Sequence, residues 1–222
     1  MKTLLSMALV LLLAACAPAP SIQQGPEREV TFDGLVRIDN SAFSNAWIDP
    51  DVDLTQYTRI MPGGATFEFR AVKKNSSTSR ARINNESEFW ISDDGKEAVR
   101  EIVTEAFREE LLNSKHFTFA NSRGPDVLII EGALHDIVSR VPPDIAGRGE
   151  IYLASVGEAT LILEARDSLS NEVIYRAVDR RSGEQADGNL TMNNTVRTRS
   201  EVRRMAVRWA KRLREGLDSI HD

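Results

Sequence analysis

Hydrophobic positions along this chain fall into blocks of different period, and each period predicts a different element. Leu4 to Leu13 is apolar throughout except for Ser6, with Lys2 ahead of it and Ala14-Ala15-Cys16 behind. The run is about 10 residues, half of the roughly 20 that a membrane-spanning helix needs. Pro18 and Pro20 follow at once. The pattern therefore predicts a cleavable export signal over residues 1–15. Residues 16–30 add a third proline, Pro26, and few large apolar side chains, which is the composition of an extended tether. From Phe32 to Ile48 the apolar residues keep no period, so irregular structure is expected up to the turn at Asp49-Pro50-Asp51.

Beyond that turn the periods become regular. Tyr57 to Met61 and Ala65 to Val72 predict two strands either side of Pro62-Gly63-Gly64, with Phe67 and Phe69 on one face. Lys73 to Glu88 is polar and reads as a loop. Val99, Ile102, Val103, Ala106, Phe107 and Leu111 recur at helical spacing behind a cap at Asp94 with Glu97 three residues on. Val127-Leu128-Ile129-Ile130 is apolar enough for a central strand running toward Val138. Between Glu150 and Arg166, Ile151, Leu153, Ala159, Leu161 and Leu163 share one parity while Glu158, Thr160, Glu164 and Arg166 share the other, so one face is buried and one wet. Asp167-Ser168-Leu169-Ser170-Asn171 has turn chemistry, and Glu172 to Val178 returns as the second arm of an antiparallel hairpin. Gly183 to Asn194 reads as a loop. The last helix opens on a capping box, Thr198 with Glu201, and carries Val202, Met205, Ala206, Trp209, Leu213, Leu217 and Ile220 at spacings of three and four.

Together these elements predict one α+β domain over residues 31–222, a largely antiparallel sheet with two amphipathic helices, Val99 to Leu111 and Val202 to Ile220, on one face. Phe107 and Trp209 are expected to be buried. With 41% hydrophobic and 27% charged residues the composition is that of a globular chain. Lys2 is the only charged residue of the leader, so the mature chain keeps all 33 acidic residues against 27 of the 28 basic ones. That acidic balance argues against nucleic acid as a partner.

Candidate chemistry is sparse. His116, His135 and His221 stand far apart and form no metal-ligand spacing. His135 and Asp136 are neighbours on a strand, which points them to opposite faces. Glu158 and Glu164 are about 20 Å apart along an extended strand, too far for a glycosidase pair, and read as surface charges. Neither a nucleophile elbow nor a phosphate-binding glycine loop occurs. No catalytic, metal or cofactor-binding residue is nominated, and no cofactor is expected. Arg197, Arg199, Arg203, Arg204, Arg208, Lys211, Arg212 and Arg214 crowd the last helix. Arg204, Arg208 and Lys211 are its candidate contacts for anionic lipid or an acidic wall polymer, against the plainer reading of a solvated face. The proline-stiffened segment 139–149 is expected to expose Val141 and Ile145 as candidate partner contacts, against the plainer reading of a flexible connector with no role.

Leu13-Ala14-Ala15-Cys16 resembles the lipobox of bacterial lipoproteins. The resemblance implies cleavage before Cys16, a diacylglycerol on its thiol and an acyl chain such as palmitate on its amine, several chains together giving stable anchoring. Cys16 is the only cysteine, so lipidation leaves no thiol for a disulfide. Ala17, where Asp would favour inner-membrane retention, implies an outer-membrane lipoprotein facing the periplasm of a Gram-negative cell.

Phe32-Asp33-Gly34-Leu35, then Trp47-Ile48-Asp49-Pro50 and Asp53-Leu54-Thr55-Gln56-Tyr57-Thr58-Arg59-Ile60, resemble the domain-of-unknown-function 3313 lipoproteins of Gram-negative bacteria. In that pattern an Asp-Gly-Leu-like opening and an Asp-Leu-x-x-Tyr approach to the first strand precede a helix, a set of strands and a final helix. Met61-Pro62-Gly63-Gly64 departs from its more continuous strand. The family supplies no reaction to transfer. Asp33, Gly34, Leu35 and Tyr57 are expected to pack the opening segment on the sheet. The functional expectation is a non-enzymatic binding or assembly module of the envelope with a periplasmic protein or cell-wall partner. The alternative is an envelope hydrolase acting on wall or lipid, its site assembled from distant residues.

Overall fold

The computed structural model describes residues 18–72, 88–141, 152–153, 155–184, 191–192 and 195–222. Among the described residues, ten strands and two α-helices follow in the order β1 (Ser21–Ile22), β2 (Val36–Asp39), β3 (Asn45–Ile48), β4 (Arg59–Phe69), α1 (Asp93–Leu112), β5 (Thr118–Phe119), β6 (Val127–Ser139), β7 (Tyr152–Leu153), β8 (Ser155–Asp167), β9 (Val173–Glu184), β10 (Thr191–Met192) and α2 (Thr195–Asp218). Eight strands form one sheet in the order β1-β2-β3-β9-β8-β6-β4-β5, and β10 pairs with β7 separately. The architecture is α+β and the main sheet is mixed, mostly antiparallel. The parallel pairs are β4 with β6 and β4 with β5. Parallel neighbours need a long return, and between β4 and β6 the return includes α1.

The hairpin of β8 and β9 forms where the turn chemistry predicts it. Asp167 Oδ1 accepts from the N–H groups of Leu169 (2.9 Å) and Ser170 (2.7 Å), and Asn171 takes a φ of 64°. The strand from Val127 is central, between β4 and β8.

Several boundaries differ from the pattern-based reading. The two strands expected around Pro62-Gly63-Gly64 are one, β4, with its register to β6 shifting between Pro62 and Gly64. A Cβ on Gly63 would stand 2.5 Å from the side chains of Ile129 and Glu131, so glycine lets the strand pass close to β6 and continue. The stretch expected to be irregular holds β2 and β3. Their cue is weak because each strand has only four residues. From Ser21 onward the expected tether joins the sheet, with Ser21 opposite Asp39 and Ile22 opposite Ile38. The loop expected from Gly183 is shorter, since β9 runs to Glu184 and Thr191–Met192 form β10.

The α1 cap is Ser92, whose hydroxyl accepts from Gly95 N at 3.2 Å. Asp94 lies inside the first turn, where its charge favours the positive helix end. In α2 the helix begins at Thr195, so Thr198 is internal and does not cap.

Both helices share one apolar core with the sheet. Val103, Ala106 and Leu111 of α1 meet Met205, Ala206, Trp209, Leu213 and Leu217 of α2 and the inward residues of β4, β6, β8 and β9. Of the residues expected to pack the opening segment, Leu35 and Tyr57 do so, whereas Asp33 and Gly34 are exposed. Leu35 and Tyr57 are each 2% exposed, and the Tyr57 hydroxyl donates to Asp167 Oδ2 at 3.0 Å. Burial and that carboxylate raise the Tyr57 phenol to about 12. Gly34 turns the chain at a φ of 90°, a conformation glycine adopts without strain.

Trp209 and Asp179 are fully buried. The indole N–H donates to Asp179 Oδ2 at 2.8 Å, Arg181 Nε donates at 2.7 Å, and the Ser44 N–H donates to Oδ1 at 3.1 Å with its hydroxyl beside it. Burial alone would raise the Asp179 carboxyl. Hydrogen bonds from Ser44, Arg181 and Trp209 outweigh it and hold the pKa below the usual value. Removing such a carboxylate strands several donors, so Asp179→Ala is expected to cost about 3 kcal/mol. Trp209→Phe, which deletes one donor, is expected to cost about 1 kcal/mol. Urea unfolding followed by far-UV circular dichroism measures both, and equal midpoints for Asp179→Ala and wild type would contradict this assignment.

Candidate functional site

The surface of α1 divides into ridges at a spacing of four. Val99, Val103, Phe107 and Leu111 form the apolar ridge, Lys96, Arg100, Thr104 and Arg108 the basic one beside it, and Glu97, Glu101, Glu105 and Glu109 an acidic one beyond. The apolar ridge turns toward β4, β6 and β8. Beneath it the sheet is lined with small residues, Gly64 and Ala65 on β4 and Gly132 on β6. They do not fill the space under the helix. A groove of about 580 Å³ results, floored by Ile130, Leu134, Leu161 and Leu163, walled by Phe67, Val103 and Phe107, and reaching to Phe119 and Leu111. A Cβ on Gly132 would meet only the Leu163 side chain at 3.9 Å, so the space above Gly132 is open.

Polar side chains among the described lining residues are confined to α1: Arg100, Thr104 and Arg108. Arg100, which borders the groove, lies over the Phe69 ring at 5.3 Å, and Lys96 lies over the same ring at 6.0 Å, so a second cation stands next to Arg100 just beyond the groove's lining. Their carboxylate partners sit three residues back, Asp93 for Lys96 (2.9 Å), Glu97 for Arg100 (3.1 Å) and Glu105 for Arg108 (2.7 Å). Pairs at such exposed positions are weak.

A second cavity, about 570 Å³, lies where the N-terminal ends of both helices approach β6 and β8, between Trp90, Val99, Val156 and Met205. Val103 and Leu134 border both cavities. Val141, half-buried, lies on the second. Phe107, expected to be buried, is half-buried because it walls the groove instead of closing it.

The opposite face of the sheet is covered by ion pairs. Glu164 is held by Arg176 at 2.7 Å and by Arg166, and Arg176 reaches on to Asp33 at 2.7 Å. Glu158 is held by Arg180 at 2.7 Å and by Arg140. Glu158 and Glu164, read as surface charges, are therefore bound partners of arginines. A register shift between His135 and Val138, with Asp136 at a φ of 56°, changes the alternation expected there. His135 meets Glu68 while Asp136 meets Arg70 and Arg180, so both side chains join this polar face. They make no relay, each having its own partner.

Other expected contacts are dispersed. Arg204 pairs with Glu201 at 3.2 Å, Lys211 with Glu215 at 3.7 Å, and Arg208 is half-buried. Arg203 and Arg214 pair with Glu109 and Glu110 of α1. Cys16 and Ile145 lie outside the described residues. His116 stands 3.3 Å from Asp222, and His221 Nε2 donates to the Tyr57 carbonyl at 2.8 Å. Among the described residues no group of three or more His, Cys, Asp or Glu is placed to hold a metal, and no helix is long and apolar enough to cross a membrane. The groove and Asp179 escaped the pattern-based reading. The basic ridge of α1, at intervals of four, is the signal that marks the groove's lip.

A family model described as "Protein of unknown function (DUF3313)" matches residues 31–213. The chain belongs to that family. Among curated proteins none matches this DUF3313 chain at a significant level. Among solved structures it is similar to protein XCC0632 from Xanthomonas campestris, assigned to family-model DUF330, with 10% identity, 77% of this chain and 89% of the other covered, and a TM-score of 0.37. It is also similar to the PelC dodecamer from Paraburkholderia phytofirmans, with 11% identity, 69% and 89% coverage, and a TM-score of 0.30.

The ion pairs of the polar face make stability depend on acid. The Arg176 guanidinium hydrogen-bonds Asp33 and lowers its carboxyl to about 2, and Arg70 followed by Arg180 holds Asp136 well below the carboxylate range. A carboxyl whose folded pKa lies below its unfolded value, about 3.9, stabilises fully above that value and loses the contribution as pH falls through the folded pKa. Stability is therefore expected to drop between about pH 4 and pH 2. Arg176→Gln is expected to flatten that part of the curve, and unfolding free energies across the window that keep the same slope in both proteins would refute it.

Proposed function

We propose that this DUF3313 chain is a lipid-anchored protein of the Gram-negative outer membrane whose periplasmic domain, reaching back to β1 at Ser21, works by binding and not by catalysis. The observation that carries the reading is the groove beneath α1. Its described walls are hydrocarbon, with polar side chains only on the α1 lip. Such walls remove an apolar group from water, the largest favourable term in association. They place no nucleophile beside a general base, which a hydrolase needs, so the hydrolase alternative has less support.

The anchor follows from Leu13-Ala14-Ala15-Cys16 at the end of the export signal. Because Ser21 already pairs with β2, only residues 17–20 separate Cys16 from the sheet. At about 3.5 Å per extended residue they span roughly 14 Å, so the anchor holds the β1 edge near the lipid headgroups. Arg204, Arg208 and Lys211, with Val141 and Ile145, are proposed contacts for a second envelope component, a periplasmic protein or the wall.

Cys16→Ser expressed in a Gram-negative host is expected to lose the mass of the lipid and to leave the outer-membrane fraction. A wild-type protein recovered with a free thiol would refute the anchor. The triple variant Arg204→Glu, Arg208→Glu, Lys211→Glu is expected to lower co-sedimentation with sacculi several-fold, and unchanged sedimentation would remove those three residues from the contact face.

A further inference from the structure

We infer that the groove beneath α1 takes an acyl chain of an anionic membrane phospholipid, with the phosphate held at the Lys96–Arg100 mouth. The inference rests on the binding role proposed above and names its ligand. Three observations converge on it.

The space is elongated. It follows α1 from Arg100 to Leu111, about 16 Å at 1.5 Å per residue, alongside strand β4. An extended chain fits that form better than a compact ring. The volume, about 580 Å³, is within the range of about 300–1,000 Å³ typical of small-molecule sites.

The walls leave a hydrogen-bonding ligand little to bond. Gly64, Ala65, Gly132, Leu134, Leu161 and Leu163 bring no polar side chain to the floor, and the backbone polar groups of β6 are used in pairing with β4 and β8. A hydrocarbon chain asks for nothing more.

The charge is on one lip. Arg100 and Arg108 border the opening, and Lys96 stands one turn before Arg100 on the same ridge. Arg100 borders the groove and shares the Phe69 ring with Lys96, so a phosphate held by Arg100 also meets the Lys96 ammonium next to it. The weak pairs these residues make with Asp93 and Glu97 are at exposed positions, where an incoming anion can exchange with them.

A phospholipid joins both features, an anion carried on chains of the required kind.

The test uses the full chain in nonionic micelles containing phosphatidylglycerol with a diazirine near the end of one acyl chain. After irradiation, labelled peptides are mapped by mass spectrometry. Label is expected to concentrate on the peptides of Arg59–Phe69 and Asp93–Leu112. Gly132→Val, which fills the floor with a residue favoured in strands, and Thr104→Trp, which narrows the lip from an exposed position, are each expected to reduce that label at least five-fold with unchanged circular dichroism. Lys96→Gln with Arg100→Gln is expected to cut phosphatidylglycerol labelling several-fold while leaving labelling by an uncharged diazirine diacylglycerol unchanged.

Label spread evenly over the surface, or undiminished by Gly132→Val and Thr104→Trp, overturns the inference. So does a several-fold rise in groove label in Cys16→Ser, which would make the protein's own acyl chain the occupant, or a groove covered only when a second copy docks, shown by crosslinked dimers whose formation protects it. A small neutral aryl diazirine separates this inference from the reading beneath it. If that reagent labels the groove and phosphatidylglycerol does not, the groove binds apolar groups but not phospholipid. If neither labels it, the groove's binding role fails as well.

Discussion

Burying the carboxylate of Asp179 beneath α2 is the constraint on which the arrangement of helices and sheet depends. An ionised group inside an apolar core is costly unless donors surround it, and here the donors come from separate parts of the chain. Trp209 approaches from the last helix, Ser44 from the segment leading into β3, and Arg181 from the same strand. Their geometry can be satisfied together only when α2 lies across β9 in one position. Apolar packing around Met205, Leu213 and Leu217 is less directional, so the hydrogen bonds select the register that packing then fills.

Once α2 is held there, α1 is held by α2. The two helices share the apolar cluster and the outer pairs Arg203–Glu109 and Arg214–Glu110. Toward β4 and β6 the sheet offers Ala65, Gly64 and Gly132, which are too small to reach the helix. The groove exists because α1 is supported from one side and meets short side chains on the other. A void of this kind forfeits packing contacts, and a ligand that fills it regains them.

The two faces of the sheet solve different problems. The inner face is covered by helices. Among the described residues the outer face is covered by its own side chains, with arginines on β8 and β9 alternating with carboxylates from β6, β8 and the Asp33 turn. Long guanidinium side chains lie along the strands and shield the backbone, while each charge is neutralised locally. The edge at β2 is paired by β1, which takes up backbone groups that would otherwise be free to pair with another chain.

Local pattern was enough to identify both helices and the hairpin of β8 and β9, because these have long runs at a period of 3.6 or 2, and the central strand, because its apolar run is unbroken. Val127 to Ile130 announces burial on both faces, and Asp167 to Asn171 announces a reversal. Short strands such as β2 and β3 have too few positions to show a period, and β4 remains one strand through Pro62-Gly63-Gly64 only because β6 lies beside it in space. The lipobox and the Asp-Gly-Leu and Asp-Leu-x-x-Tyr segments were legible as words in the chain. The groove was not, since a ridge of Val103, Phe107 and Leu111 says that a helix turns inward without saying how tall its neighbours are. What the chain alone determined was which surfaces are apolar. Tertiary structure decided how closely they meet, because Gly64, Ala65 and Gly132 open a space only when a helix fixed elsewhere passes over them, and Asp179 becomes a hub only when Ser44 and Trp209 converge on it.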